Sequence, residues 1–271
     1  MTEKTYETPC GVIHYWVDRG AEQMGPPLAF LPGLLEDHRL FAKQLAYFAG
    51  RYPLFVWDAP GHAASRPFEL TFTLPDKAKW LEEIFTQEGI ERPVVIGHSM
   101  GGCVGQLYAL GFPQKIKGLI AIDSVPLRKE YASAPERWFL KRTEPVFRHY
   151  PWKSFLKVGT RGVATSEYGR ELMREMLLTY DGDQEGFAKL GGHGFRIMEA
   201  AMEENLLKEL PCPTLLICGE QDRVGLCAQY NRAWHEKTGI PIVWIEGAGH
   251  NASADEPERV NRLIQDFVDK L

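Results

Sequence analysis

The chain has 271 residues, 44% hydrophobic and 25% charged, with a formal net charge of −5. That length supports one sizeable core with room for an inserted lobe. The mild acidity gives no basic field for a nucleic-acid partner, and no apolar run approaches the roughly 18 residues of a membrane span.

The opening stretch TYETPCGVIHYWVDRG has strand composition, turn residues at Pro9–Gly11 and no helical period, which predicts antiparallel strands opening a sheet. The N-terminus lacks a basic segment leading into an apolar one, so no secretion signal is visible and the expected location is cytoplasmic. Six short runs rich in Val, Ile, Leu and Phe follow: PLAFLPG, PLFVWDAPG, PVVIGHS, KGLIAIDS, PTLLICGE and PIVWIEGAG. Each reads as a strand buried on both faces and closed by a turn. Between them, Leu74, Ala78, Leu81 and Phe85 recur at helical spacing, and Val260, Leu263, Ile264, Phe267, Val268 and Leu271 line one face of a last helix. Strand, helix, strand in this rhythm requires an α/β fold, a mostly parallel twisted sheet with helices on both faces.

After KGLIAIDS the rhythm breaks until Thr214, a gap far beyond the roughly 2 to 6 residues of an ordinary α/β connection. The gap holds its own helical stretches, EYGRELMREMLLTY and GFRIMEAAMEENLLKEL. The expected organisation is a core of residues 1–125 and 206–271 with a helical cap, 126–205, inserted in it. Within the cap, LGGHGF reads as a helix breaker, and TYDGDQEG as a solvated turn because it lacks a full calcium loop.

The sequence VVIGHSMGGCVGQ sets Ser99 between Gly97 and Gly101, where a strand turns at once into a helix. Such a turn is strained, and the small flanking residues let the hydroxyl stand at the carboxyl end of the sheet, beside the positive end of the following helix. A serine hydroxyl is a weak nucleophile unless a base takes its proton and an acid orients that base. Asp222 follows the run TLLICGE, and His250 follows the run PIVWIEGAG, so both fall at strand ends.

Five segments in this order resemble the α/β-hydrolase fold superfamily, in its capped serine esterase and lipase-like group. FLPGLLEDH resembles the oxyanion loop, VWDAPGHAASRP the D-x-P-G-x-G-x-S segment, GHSMGG the nucleophile elbow, LLICGEQD the acid strand and GAGHN the histidine loop. The resemblance implies an α/β-hydrolase fold, a Ser99–His250–Asp222 triad, an oxyanion hole made by the backbone N–H groups of Leu34 and Met100, and no cofactor. Two positions depart from the pattern: Pro32–Gly33 replaces the frequent His-Gly, and Ala63 a usual glycine.

Asp123 also ends a strand and rivals Asp222 as the acid, because the acid's position varies between subfamilies. Glu220 is a weaker rival. Of the eight histidines only His250 has a catalytic role in this reading, and His98 flanks the serine where the family accepts many residues. His38, Trp138, Phe147 and Trp152 are candidates to line the substrate site. Nine basic side chains against three acidic ones in residues 126–161 form a solvated face or, in a sharper reading, recognise an acidic group. The five cysteines have neither CxxC nor zinc-ligand spacing and read as reduced packing residues, with no metal site.

The expected partner is a small-molecule ester of a small or medium, mainly apolar acyl group, cleaved by a serine hydrolase, foremost a carboxylesterase. Thioesterase, lactonase or carbon-carbon bond hydrolase activity on the same triad stays open, as does a non-catalytic ligand-binding protein on this scaffold. Monomer and homodimer are not distinguished.

Overall fold

The computed structural model describes residues 1–20, 24–205 and 209–271. Strands β1 (Thr2–Thr8) and β2 (Gly11–Asp18) form the expected hairpin about Pro9–Gly11. The six buried runs become β3 (Leu28–Leu31), β4 (Leu54–Trp57), β5 (Val94–His98), β6 (Gly118–Ile122), β7 (Thr214–Gly219) and β8 (Ile242–Ile245). They form one eight-stranded sheet in the order β1-β2-β4-β3-β5-β6-β7-β8, parallel from β4 through β8 and antiparallel where β2 meets β1 and β4.

Helices α1 (Ala42–Phe48), α2 (Leu74–Glu88) and α3 (Met100–Gly111) alternate with these strands. Thr73 and Asp76 form a capping box at the start of α2, satisfying two of its first N–H groups. The strands alternate cleanly between two cores. Ala29, Leu31, Phe55 and Val95 face the side packed by α2 and α3, while Leu28, Phe30, Val56 and Ile96 face the other side. On that second side lies the amphipathic last helix, which presents Val260, Ile264 and Val268 to the sheet.

Between β6 and β7 lie α4 (Ala134–Leu140), α5 (Glu144–His149), α6 (Trp152–Val163), α7 (Glu167–Leu178) and α8 (Gln184–Glu204). The chain ends with α9 (Cys227–Thr238), α10 (Ala252–Asp255) and α11 (Pro257–Val268). Among the described residues no helix is long and apolar enough to cross a membrane.

The sequence LGGHGF does not break a helix; it lies inside α8, which runs unbroken over 21 residues. Close packing explains the correction. A Cβ on Gly191 would lie 2.9 Å from the Phe147 ring, one on Gly192 would lie 2.3 Å from Glu144 Cβ, and one on Gly194 would lie 2.4 Å from Leu34 Cδ1. The glycines that weaken α8 by propensity let α5 and the Leu34 loop approach it. The helix stops where Asn205 adopts the left-handed conformation (φ 51°), and Leu206–Lys208 of the expected helix lie outside the described residues. The acidic turn preceding α8 has a local role, since the Asp183 side chain accepts the Gly186 N–H.

Candidate active site

The carboxyl ends of β5, β7 and β8 meet the start of α3, and there the chain gathers its chemistry. Ser99 sits at φ 49°, ψ −118°, a conformation an L-residue holds only when its surroundings impose it. Two glycines make that turn sterically possible. A Cβ on Gly97 would lie 2.4 Å from Gly102 N, and one on Gly101 only 1.9 Å from the Leu31 carbonyl oxygen.

Three of the predicted side chains meet. His250 Nδ1 lies 2.9 Å from Asp222 Oδ2, and His250 Nε2 lies 3.0 Å from Ser99 Oγ. A carboxylate only accepts, so Nδ1 carries the hydrogen and Nε2 of the neutral ring is left to accept from the hydroxyl. Asp222 is held further by the Val224 N–H, 2.9 Å from its Oδ1.

The environment also separates the two rival acids. Burial opposes ionisation of Asp222, but the charge and hydrogen bond of His250, the Val224 N–H and the Cys227 thiol hold its carboxyl below the ordinary range. Burial pushes Asp123 well above its ordinary value, and the nearby Cys218 and Asp222 add to the rise. Asp123 accepts the N–H groups of Gly219 (2.7 Å) and Ala252 (3.2 Å), pinning β7 and α10. Glu220 is an exposed turn residue.

The Pro32–Leu34 loop passes directly beside Ser99. A Cβ on Gly33 would lie 3.0 Å from Ser99 Cβ, 3.0 Å from His98 Nδ1 and 2.6 Å from Glu36 Oε2, so only glycine fits. Among the described residues the amides of Leu34 and Met100 donate to no protein acceptor. Ala63 lies at φ 36°, a left-handed position where the family's glycine is the relaxed residue.

Sequence reading missed a buried ion pair that braces this arrangement. His98 Nδ1 lies 2.7 Å from Glu36 Oε2 and its Nε2 lies 2.9 Å from the His250 carbonyl oxygen. Both partners are acceptors, so both ring nitrogens must carry hydrogen and His98 is an imidazolium. Burial alone would lower its pKa, but the adjacent Glu36 carboxylate overrides that and raises it from 6.5 to about 9. Glu36 Oε2 also accepts the Gly33 N–H at 2.9 Å, so one ion pair ties the loop beside Ser99 to the backbone of His250. No local signal marks this pair, whose members are 62 residues apart.

A pKa raised by folding means stability that is complete below pH 6.5 and lost as pH climbs through 9. The shift corresponds to about 3 kcal/mol. His98→Gln is therefore expected to unfold more easily than the wild type at pH 6, with the gap narrowing steadily towards pH 9 in urea titrations. A gap independent of pH would contradict the assignment of charge to His98.

Each candidate lining residue has partners within the protein. His38 pairs with Asp58 (2.8 Å) and packs on Trp16, with ring centroids 3.9 Å apart. Trp138 is 58% exposed beneath the Arg142 guanidinium. Phe147 and Trp152 join Phe155 and Phe187 in an aromatic cluster inside the inserted helices. The inserted helices approach the Leu34 loop at two points: Met176 Sδ meets the Asp37 N–H at 3.4 Å, and Gly194 lies against the Leu34 side chain. Much of the basic stretch is neutralised by acids of α8, as in Lys141–Glu199 and Arg137–Glu203. The cluster Asp37, His38 and Asp58 has the donor types for a metal ion, but Arg39 occupies Asp37 and the His38 N–H groups occupy Asp58.

A mostly parallel eight-stranded sheet with helices on both faces and a sharp strand-to-helix turn at β5 is the alpha/beta hydrolase fold. The chain belongs to the alpha/beta hydrolase family, whose sequence model matches residues 28–263. It is 26% identical over 252 residues to a pimeloyl-(acyl-carrier protein) methyl ester esterase of Xanthomonas oryzae pv. oryzae, covering 90% of this chain and 95% of that one. It is 24% identical over 255 residues to a 2-succinyl-6-hydroxy-2,4-cyclohexadiene-1-carboxylate synthase of Pectobacterium atrosepticum, covering 90% and 94%. A thermophilic esterase from Thermogutta terrifontis shares the fold with a TM-score of 0.77 at 20% identity, covering 100% of this chain and 99% of that one.

Proposed function

We propose that the protein is a serine hydrolase that cleaves carboxylic esters of small or medium, mainly apolar acyl groups. The observation that carries this reading is the unbroken relay from Ser99 Oγ through both nitrogens of His250 to Asp222, at 3.0 and 2.9 Å.

In this mechanism His250 Nε2 takes the hydroxyl proton as Ser99 Oγ attacks the ester carbonyl carbon. Asp222 keeps the ring in the tautomer that leaves Nε2 free and stabilises the imidazolium that forms. The N–H groups of Leu34 and Met100 receive the developing oxyanion, each typically worth roughly 2.7 to 4 kcal/mol in such sites. The imidazolium returns its proton to the leaving alcohol. Water, deprotonated by the same nitrogen, then attacks the acyl-enzyme and restores Ser99.

Residues 126–205 act as the cap over this chemistry. Contacts of Gly194 with Leu34 and of Met176 with the Asp37 N–H support that placement, since they put α8 and α7 against the loop beside Ser99. The named activity of the Xanthomonas relative supports ester cleavage. The synthase named among the relatives keeps a non-hydrolytic reaction on the same triad as the second reading.

A series of p-nitrophenyl esters of increasing acyl length tests reaction class and pocket size together, with Ser99→Ala as the control. Turnover that falls off beyond medium chains and vanishes in Ser99→Ala is expected. A fluorophosphonate probe is expected to label Ser99 in the wild type and lose its site in the variant. An unlabelled, folded wild-type protein would leave the ligand-binding alternative standing.

A further inference from the structure

Immediately behind the proposed triad acid lie two thiols that the sequence keeps nine positions apart, Cys218 at the end of β7 and Cys227 at the start of α9. The strand and the helix fold back across the turn that carries Asp222. As a result Cys218 Sγ, Cys227 Sγ and an Asp222 carboxylate oxygen all lie within 4.8 Å of one another, and all three residues are buried. The neighbouring Asn231 Nδ2 is 3.4 Å from Cys227 Sγ, and Asn231 Oδ1 is buried without a hydrogen-bond partner among the described residues.

We propose that Cys218, Cys227 and Asp222 form a binding site for a thiophilic divalent cation of the Zn²⁺ or Cd²⁺ type, and that its occupation switches the hydrolase off. The inhibitory half rests on the triad reading above; the binding half does not.

Geometry and charge both support the site. Zinc–sulfur bonds of about 2.3 Å in a tetrahedron set two ligand sulfurs about 3.8 Å apart, so atoms already within 4.8 Å need close by no more than about 1 Å. Two sulfurs and one carboxylate oxygen select a soft or borderline ion over Mg²⁺ or Ca²⁺. Binding replaces two S–H protons, released to solvent, by one M²⁺ bonded to two thiolates. The charge of thiols plus carboxylate is −1 before and −1 after, so the ion adds no net charge to the interior. Three protein ligands leave a fourth position for water.

Occupation has a direct consequence for His250. Asp222 Oδ1 holds the Val224 N–H and Oδ2 holds His250 Nδ1. A carboxylate drawn onto the metal weakens its grip on the imidazole and favours the wrong tautomer, so kcat falls while KM changes little.

The test adds Cd²⁺ to the full chain with all five thiols reduced. Expected are one bound ion per chain, the ultraviolet charge-transfer absorption of a cadmium thiolate, a ¹¹³Cd resonance in the range of a two-sulfur site, and about two protons released. Cys218→Ser and Cys227→Ser each lose the two-sulfur resonance, whereas Cys10→Ser and Cys212→Ser keep it. Ester hydrolysis in the wild type falls about tenfold or more at stoichiometric Cd²⁺, measured against the same protein without metal. A ¹¹³Cd resonance without sulfur ligands, or two-sulfur binding that survives both Cys218→Ser and Cys227→Ser, overturns the site. Two-sulfur binding with undiminished hydrolysis overturns the switch alone. If the chain hydrolyses no ester, the proposed function fails while the spectroscopic measurements still decide the metal site.

Discussion

Asp222→Asn is expected to lower kcat on a short p-nitrophenyl ester by about 10⁴-fold, and Ser99→Ala by about 10⁶-fold. Asp123→Asn should cost less than about tenfold. The contrast rests on the opposite directions in which the two acids are driven. Asp222 is held ionised against His250; its amide analogue, turned to present its N–H₂ to Nδ1, would trap the ring as the tautomer that cannot accept the serine proton, and turned the other way its neutral oxygen would stabilise the imidazolium far less. Asp123 is pushed towards its neutral form and accepts the backbone N–H groups of Gly219 and Ala252, so an amide there sets its N–H₂ against one backbone donor, a local structural cost that leaves the proposed proton relay in place. Steady-state kinetics of the three variants decides the matter. Activity lost in Asp123→Asn and kept in Asp222→Asn would reverse the assignment of the acid.

Gly101→Ala should be damaging too, for a purely steric reason. Its new methyl would sit 1.9 Å from the Leu31 carbonyl oxygen and 2.7 Å from that of Pro32, both backbone atoms with no rotamer to yield. Either α3 lifts from β3, carrying Ser99 and the Met100 amide with it, or the loop leading to Leu34 moves. We expect a loss of at least about 3 kcal/mol in urea unfolding and about 10² in kcat from displacement of the reacting groups. Gly111→Ala is the control: it lies on the same helix, nothing lies within 4 Å of its added methyl, and the substitution should be neutral or slightly stabilising. Equal effects at the two positions would mean that helix propensity, not contact, governs α3.

The parts legible in the sequence are those encoded locally. A run such as VVIGH declares a doubly buried strand, and Gly97-His98-Ser99-Met100-Gly101 declares its sharp exit, because steric demands fall on the residues that meet them. His250 and Asp222 could be singled out as candidates because each ends such a run, and the fold brings both to Ser99. What escaped notice depends on distant partners. His98 looks like an indifferent neighbour of the serine until Glu36, from another loop, stands 2.7 Å away. The glycines of α8 argue against a helix until Phe147, Glu144 and Leu34 fill the space beside them. Phe147 and Trp152 carry the apolar character that suits either a pocket or a small core, and their packing against Phe155 and Phe187 depends on helices far along the chain. Cys218 and Cys227 have no recognisable spacing because a strand end and a helix start, rather than a loop motif, bring them together.

The strand order has a consequence for the life of the newly made chain. Ser99 is presented by the middle of the sheet, but its proposed base, His250, arrives from 151 residues further on, after the five inserted helices and the final two strands have been added. Contacts of such wide separation form late in folding because the loops they close are entropically expensive. Under the proposed mechanism a polypeptide still being synthesised carries an inert hydroxyl, and chemical competence switches on only when the C-terminal edge of the sheet docks. The appearance of turnover during refolding would serve as a clock for that last docking event.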